Sequence, residues 1–189
     1  MSSYLFSIPS RFAKATLVED FHNEALQEAV DDYVERYDDH QKTGQSLILT
    51  GNSGTGKSYT AAAILNDIVT TWGEDYPISG RWFSVLYDLQ SLMDFRHFHN
   101  WDNYSSLMRT VKESNIIVLD DLLHVPDFPQ TKHIVMGIIE YRYQYQKPMI
   151  LTMNAGMATG DFSEVARVFN APLARKLEDM ATDYTFVLG

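Results

Sequence analysis

Short apolar runs alternate along this chain with longer stretches whose apolar residues recur every three or four positions, and that alternation sets the expected elements. Phe21, Ala25, Leu26, Ala29, Val30, Tyr33 and Tyr37 follow helical spacing, so residues 20–37 read as an amphipathic helix with Asn23 as its N-cap before Glu24. The polar residues 38–44 read as a loop, and Ser46-Leu47-Ile48-Leu49-Thr50 as a buried strand that stops at Gly51. A helix is expected over residues 57–72, closed by Gly73, followed by a strand over 81–86 and helices over 88–95 and 104–113. Asn115-Ile116-Ile117-Val118-Leu119 has no polar alternation, which marks a strand covered on both faces. Beyond Pro126 and Pro129 come a helix over 131–146, a strand over 148–153, helices from about 163 and over 173–180, and a last strand over 184–188. Helices interleaved with apolar strands give an α/β fold with a mostly parallel sheet sandwiched by helices.

Length and composition narrow the class. At 189 residues the chain suits one domain, with residues 1–45 as an N-terminal segment and acidic helix and 46–189 as the core. Hydrophobic residues make up 45% and charged residues 21%, which excludes a disordered or collagenous chain. The absence of cysteine excludes disulfides, thiolate metal sites and a cysteine nucleophile, and leads to an expected cytoplasmic location. No run of 18 apolar residues is present, so no membrane partner is expected. The net charge of −10 repels nucleic acid at long range, which confines any DNA contact to a local patch.

Gly51-Asn52-Ser53-Gly54-Thr55-Gly56-Lys57-Ser58 fits G-x-x-x-x-G-K-[ST] at every fixed position, with a strand before it and a helix after it. Glycines let backbone N–H groups turn around phosphate oxygens, and the helix N-terminus adds partial positive charge. Lys57 reaches terminal phosphates, the Ser58 hydroxyl ligates Mg²⁺, and Tyr59 continues the segment; ATP and Mg²⁺ are the expected cofactors. Asp120 and Asp121 end an apolar strand, at the carboxyl edge where open α/β sheets bind ligands. Asp120 is assigned to Mg²⁺ and Asp121 to polarising the attacking water. Asn154 ends the next strand and is assigned to orienting that water or sensing the γ-phosphate.

Arg175, in Pro172-Leu173-Ala174-Arg175-Lys176-Leu177, is either a surface arginine or a finger reaching the phosphate of a neighbouring subunit. Arg142 divides between a surface ion pair and a role at a site or interface. His97, His99, His124 and His133 lack the spacing of metal ligands, so they read as exposed or core residues. Tyr141, Tyr143, Tyr145, Trp101 and Tyr104 either pack under helices or stack bases of single-stranded DNA. Asp31-Asp32 and Asp38-Asp39 read as solvated faces, with docking of a basic partner as the alternative.

These motifs together resemble the AAA+ core of the DnaC/IstB family, the helicase loaders of bacteria and phages and the ATPase helpers of transposases. The resemblance runs from about Ile8 to Gly189. Ile8-Pro9-Ser10-Arg11-Phe12-Ala13-Lys14-Ala15-Thr16-Leu17 is similar to the family's segment leading into the core, Gly51–Ser58 to Walker A and Val118-Leu119-Asp120-Asp121-Leu122 to Walker B. Ile138-Ile139-Glu140-Tyr141-Arg142-Tyr143 followed by Lys147-Pro148-Met149-Ile150-Leu151-Thr152-Met153-Asn154 resembles the helix that runs into the sensor 1 strand, and Ala174-Arg175-Lys176-Leu177 the box carrying the arginine finger. The resemblance implies a P-loop NTPase core without a helical lid domain. It also implies slow ATP hydrolysis stimulated by assembly, self-association through the ATP site, and a hexameric replicative helicase, or alternatively a transposase, as partner. A third alternative is a weakly hydrolysing regulator of replication proteins. Leu122-Leu123-His124-Val125 departs from the family's glycine after Walker B, and the family's N-terminal helicase-gripping domain and sensor 2 arginine have no counterpart within these residues.

Overall fold

The computed structural model describes residues 8–17, 24–73, 77–154 and 161–189. Five strands, β1 (Leu47–Gly51), β2 (Gly80–Ser84), β3 (Ile116–Asp120), β4 (Met149–Met153) and β5 (Thr185–Leu188), form one sheet in the order β2-β3-β4-β1-β5. Every neighbouring pair is parallel. The crossovers are α3 (Lys57–Gly73), α4 (Tyr87–His97), α5 (Trp101–Glu113), α6 (Pro129–Gln144), α7 (Ser163–Val168) and α8 (Ala171–Met180), with α1 (Glu24–Glu35) and α2 (Tyr37–Thr43) ahead of β1. Among the described residues there is no separate lid domain, and no helix is long and apolar enough to cross a membrane.

The pleat sorts each strand between two cores, because successive side chains point to opposite faces. Ile116 and Val118 of β3 and Ile150 of β4 join α1, α2 and α3, whereas Ile117, Leu119, Met149 and Leu151 join the side built from α4 to α8. β1, β3 and β4 are buried at every position, as their unbroken apolar runs predict. Continuing the alternation places Asp120 and Thr152 on the α3 face, the face that meets Ser58.

Several boundaries differ from the sequence expectation. Residues 38–44 are helical rather than looped: α2 buries Tyr37 and His40 and ends on left-handed Gly44, whose N–H returns to the His40 carbonyl. The proposed Asn23 cap lies outside the described residues. α5 begins earlier than expected because the Asn100 side chain accepts the Asn103 N–H. α8 gains its first turn from Asn170, which accepts the Leu173 N–H.

Arg142 corrects both sequence readings, since it is neither a surface ion pair nor part of a site. Its side chain is fully buried, and its guanidinium donates to the carbonyls of Val111, Lys112, Ser114, Asn115 and Pro148 at 2.7–3.2 Å. Two of those carbonyls lie in the last turn of α5, where a cation also meets the negative end of the helix dipole. Arg142 thus ties α6 to the end of α5, the start of β3 and the start of β4. Burial pulls its pKa down, and Tyr37 and Tyr33 oppose that shift.

Candidate functional site

A cleft of about 270 Å³ opens at the carboxyl edge of the sheet. Arg11, Phe12, Ser53, Gly54, Gly56, Lys57, Ser58, Tyr59, Asp121 and Asn154 line it. The strand order explains the convergence: β4 lies between β1 and β3, so Asn154 emerges between the loop after β1 and the two acids after β3. Ser53, Gly54, Gly56, Lys57, Ser58, Tyr59, Asp121 and Asn154, dispersed along the sequence, therefore share one cleft.

In the P-loop, Gly54 and Gly56 adopt φ of 85° and 89°, and a Cβ at either would meet no atom within 4 Å. They leave an open concavity at the N-terminus of α3, the geometry that phosphate oxygens require. Gly51 is fixed by packing instead, for a Cβ there would lie 2.1 Å from the Leu188 carbonyl oxygen of β5. The Lys57 ammonium lies back on the loop, donating to the Asn52 carbonyl and weakly to Thr55 Oγ1 at 3.4 Å. Thr55 Oγ1 also donates to the Asn52 carbonyl. Burial lowers the Lys57 pKa, opposed by the charges of Asp121 and Asp120.

Ser58 Oγ donates to Asp120 Oδ1 at 2.7 Å. Desolvation raises the Asp120 pKa and its neighbour Asp121 adds to the rise, while the hydroxyls of Ser58 and Thr152 and the charge of Arg11 oppose it. A buried carboxylate paired with a hydroxyl at the end of a phosphate-type loop is a hard-oxygen donor set that suits Mg²⁺. Asp121 takes the left-handed conformation, φ 59° and ψ 49°, and its Oδ1 accepts from Asn154 Nδ2 at 3.2 Å. His124 Nδ1 stands 3.6 Å from the same oxygen, too far for a hydrogen bond.

Three residues at the site were not assigned roles from the sequence. Thr152 Oγ1 donates to Asp120 Oδ1 and accepts the Asp121 N–H, both at 2.8 Å. Its signal was a single hydroxyl inside an apolar strand, two residues before Asn154. Arg11 and Phe12 come from the short 3-10 turn Ser10–Phe12, which is pinned to α3 where Asn66 Nδ2 donates to the Ala15 carbonyl. Phe12 meets Tyr59 edge-on at 6.5 Å and Trp82 at 5.8 Å, and the Arg11 guanidinium lies 4.3 Å from the Phe12 ring centre.

Arg175 is not in this cleft. It is exposed on α8, beside a separate hollow of about 580 Å³ that includes Phe162, Glu178, Asp179 and Asp183. Of the aromatic candidates, Tyr143 packs against the core and donates to Asp179, whereas Trp101 and Tyr145 are more than half exposed. Asp32 accepts the Tyr184 hydroxyl, and Asp38 and Asp39 face solvent beside Lys42. Among the described residues no group of three or more His, Cys, Asp or Glu side chains could hold a metal ion.

No protein-family model and no curated protein sequence matches the chain. Its architecture nonetheless matches solved structures closely. The DnaC helicase loader superposes with a TM-score of 0.78 at 21% identity, covering 96% of this chain and 100% of that one. DnaI follows at 0.76 and 19%, covering 100% and 99%. AMPPCP-bound DnaA from Aquifex aeolicus gives 0.68 at 15%, with 96% of this chain spanning about half, 51%, of that protein. With its five-stranded parallel sheet, helices on both faces and P-loop at the carboxyl edge, the chain has the α/β fold of a DnaC-like AAA+ core.

Proposed function

We propose that this protein is a helicase-loader-like AAA+ ATPase that binds Mg·ATP and engages or remodels a hexameric replicative helicase on DNA. The observation that carries the reading is the meeting of the P-loop, Asp120, Asp121 and Asn154 at one sheet edge, in a fold that spans the DnaC loader structure from end to end.

In this reading the N–H groups of the P-loop and the Lys57 ammonium bind the phosphates, while Phe12 and Tyr59 flank the base. Ser58 and Asp120 hold Mg²⁺, which supplies charge neutralisation at the terminal phosphates. Asp121 polarises the attacking water, and Asn154 fixes the Asp121 carboxylate and the water together. The aspartate is one methylene shorter than the glutamate more usual in this role, which favours slow turnover. Arg175, on the surface and away from its own cleft, serves the site of a neighbouring copy, so hydrolysis depends on self-association.

A local DNA contact finds support on the opposite side of the sheet from α3. Arg96, Tyr104, Met108, Lys112, Gln130, His133, Ile134 and Gly137 line a groove of about 410 Å³ with no carboxylate among them, on a protein of net charge −10. Cations beside the half-buried Tyr104 ring offer what a phosphate backbone and a stacked base require.

The test is capture of partners with Asp121→Asn as bait in the presence of ATP, with Lys57→Ala as control. Recovery of a replicative helicase only with the ATP-bound bait supports the loader reading; recovery of a transposase replaces it.

A further inference from the structure

We infer that Thr152 is a positioning residue that sets both carboxylates of the nucleotide site at once, placing Asp120 toward the cation and Asp121 toward the reacting water. The inference rests on the Mg·ATP reading above and adds a residue to which that reading gives no role.

Thr152 is fully buried in β4, the strand between the P-loop strand and the strand of the two acids. A hydroxyl has one proton and two lone pairs. Because the Asp121 amide can only donate, the hydroxyl accepts from it and commits its own proton to Asp120 Oδ1. Neither bond can reverse, so the pair defines one orientation of Thr152.

The consequences differ for the two acids. On Asp120, the Thr152 and Ser58 hydroxyls both bond Oδ1, and no described side chain bonds Oδ2. That fixes the rotation of the carboxylate and directs its other oxygen by default. On Asp121, the bonded N–H stabilises a left-handed backbone that non-glycine residues adopt infrequently. The turn at Asp121 leads its side chain away from the sheet register and to Asn154. Without the threonine hydroxyl the amide of this strained residue loses its partner, and one of the two bonds locking Asp120 is gone.

A threonine that merely filled space in β4 would affect folding but not the dependence of nucleotide binding on Mg²⁺. The full chain is therefore compared with Thr152→Val, Thr152→Ala and Thr152→Ser. The readouts are affinity for a fluorescent ATP analogue over a Mg²⁺ titration and in EDTA, turnover at saturating Mg·ATP, and thermal melting as a fold control. Outer-shell partners of metal ligands typically alter affinity or activity by about 10–100-fold. The expected result is a Mg²⁺ midpoint raised by about that factor in Thr152→Val and Thr152→Ala, with affinity in EDTA changed by less than about threefold and Thr152→Ser restored toward wild type. A wild-type Mg²⁺ midpoint in a folded Thr152→Val overturns the inference. So does an equal loss with and without Mg²⁺, or failure of both Thr152→Val and Thr152→Ala to fold. A wild-type chain that shows no Mg²⁺-dependent nucleotide binding instead removes the Mg·ATP reading itself.

Discussion

Asn154 Nδ2 donates to Asp121 Oδ1 across 3.2 Å, joining residues that follow two adjacent strands and lie 33 positions apart in the chain. Both residues line the cleft together with the P-loop. An amide that donates to a carboxylate fixes its orientation, which is a condition for polarising water. Asp121→Asn is therefore expected to lower turnover by about 10²–10⁴-fold while nucleotide affinity stays within a few-fold of wild type. Asn154→Ala should cost about 10²-fold, because the carboxylate loses the donor that orients it. Phosphate release and equilibrium nucleotide binding, measured side by side, check both values.

Arg175 separates a subunit-bridging role from a local one. Arg175→Ala should depress turnover of the assembled protein by about 10³-fold or more and leave nucleotide affinity unchanged. Mixing it with Lys57→Ala chains should restore part of the activity, since each variant supplies the half-site that the other lacks. An unchanged rate in the assembled state would remove Arg175 from the mechanism.

The N-terminal strap gives a prediction about the base. Phe12 sits between Tyr59 and Trp82 at the mouth of the cleft. Base–aromatic stacking is worth about 1–3 kcal/mol, so Phe12→Ala should weaken ATP by roughly tenfold while weakening inorganic triphosphate little. Calorimetric titration with the two ligands separates stacking from loss of the loop.

Arg142 should dominate the stability of the layer between α5, α6 and β4. Arg142→Met leaves five carbonyls without this donor, those of Asn115 and Pro148 directly ahead of β3 and β4, and should cost on the order of 4 kcal/mol in urea unfolding. Lysine recovers only part of this, because one ammonium has three donors and no planar fork.

His40 makes stability depend on pH. It is buried in α2, stacked on Tyr33 at 4.5 Å and edge-on to Tyr184 at 5.0 Å, and its Nε2 has no hydrogen-bond partner among the described residues. Burial, helped by Arg36, lowers its pKa, while Asp32 and Asp39 act in the opposite direction. The unfolded chain then binds the proton more readily than the fold, so stability rises with pH across the interval. His40 thus contributes its full stability above the ordinary histidine pKa of about 6.5 and loses it as pH falls from there toward the depressed folded value. Melting curves from pH 8 to pH 5 should fall more steeply for wild type than for His40→Phe.

Much of the site was legible because its signals are local. The P-loop is a contiguous spacing, and Asp120-Asp121 announce themselves by ending an apolar strand; neither needs a distant neighbour to be recognised. Arg11 and Phe12 carry no such pattern. Their place at the cleft depends on Asn66, 51 positions from Ala15, holding the strap against α3. Residues 38–44 misled for a related reason: a polar composition hides that Tyr37 and His40 fall on one buried face, which only the packing of α2 against Tyr33 and Tyr184 reveals.

By itself the sequence determined the α/β alternation, the phosphate loop, the paired acids and the asparagine after the next strand, because hydrophobic period and motif spacing are properties of neighbouring residues. Only the tertiary structure decided that β4 runs between β1 and β3. That order brings Asn154 onto Asp121, slides the Thr152 hydroxyl beneath both acids and makes Arg142, which the sequence left divided between a surface ion pair and a role at a site or interface, a buried clamp. Strand order is fixed by which apolar faces are buried together across long loops, a choice made by the whole core rather than by any one segment.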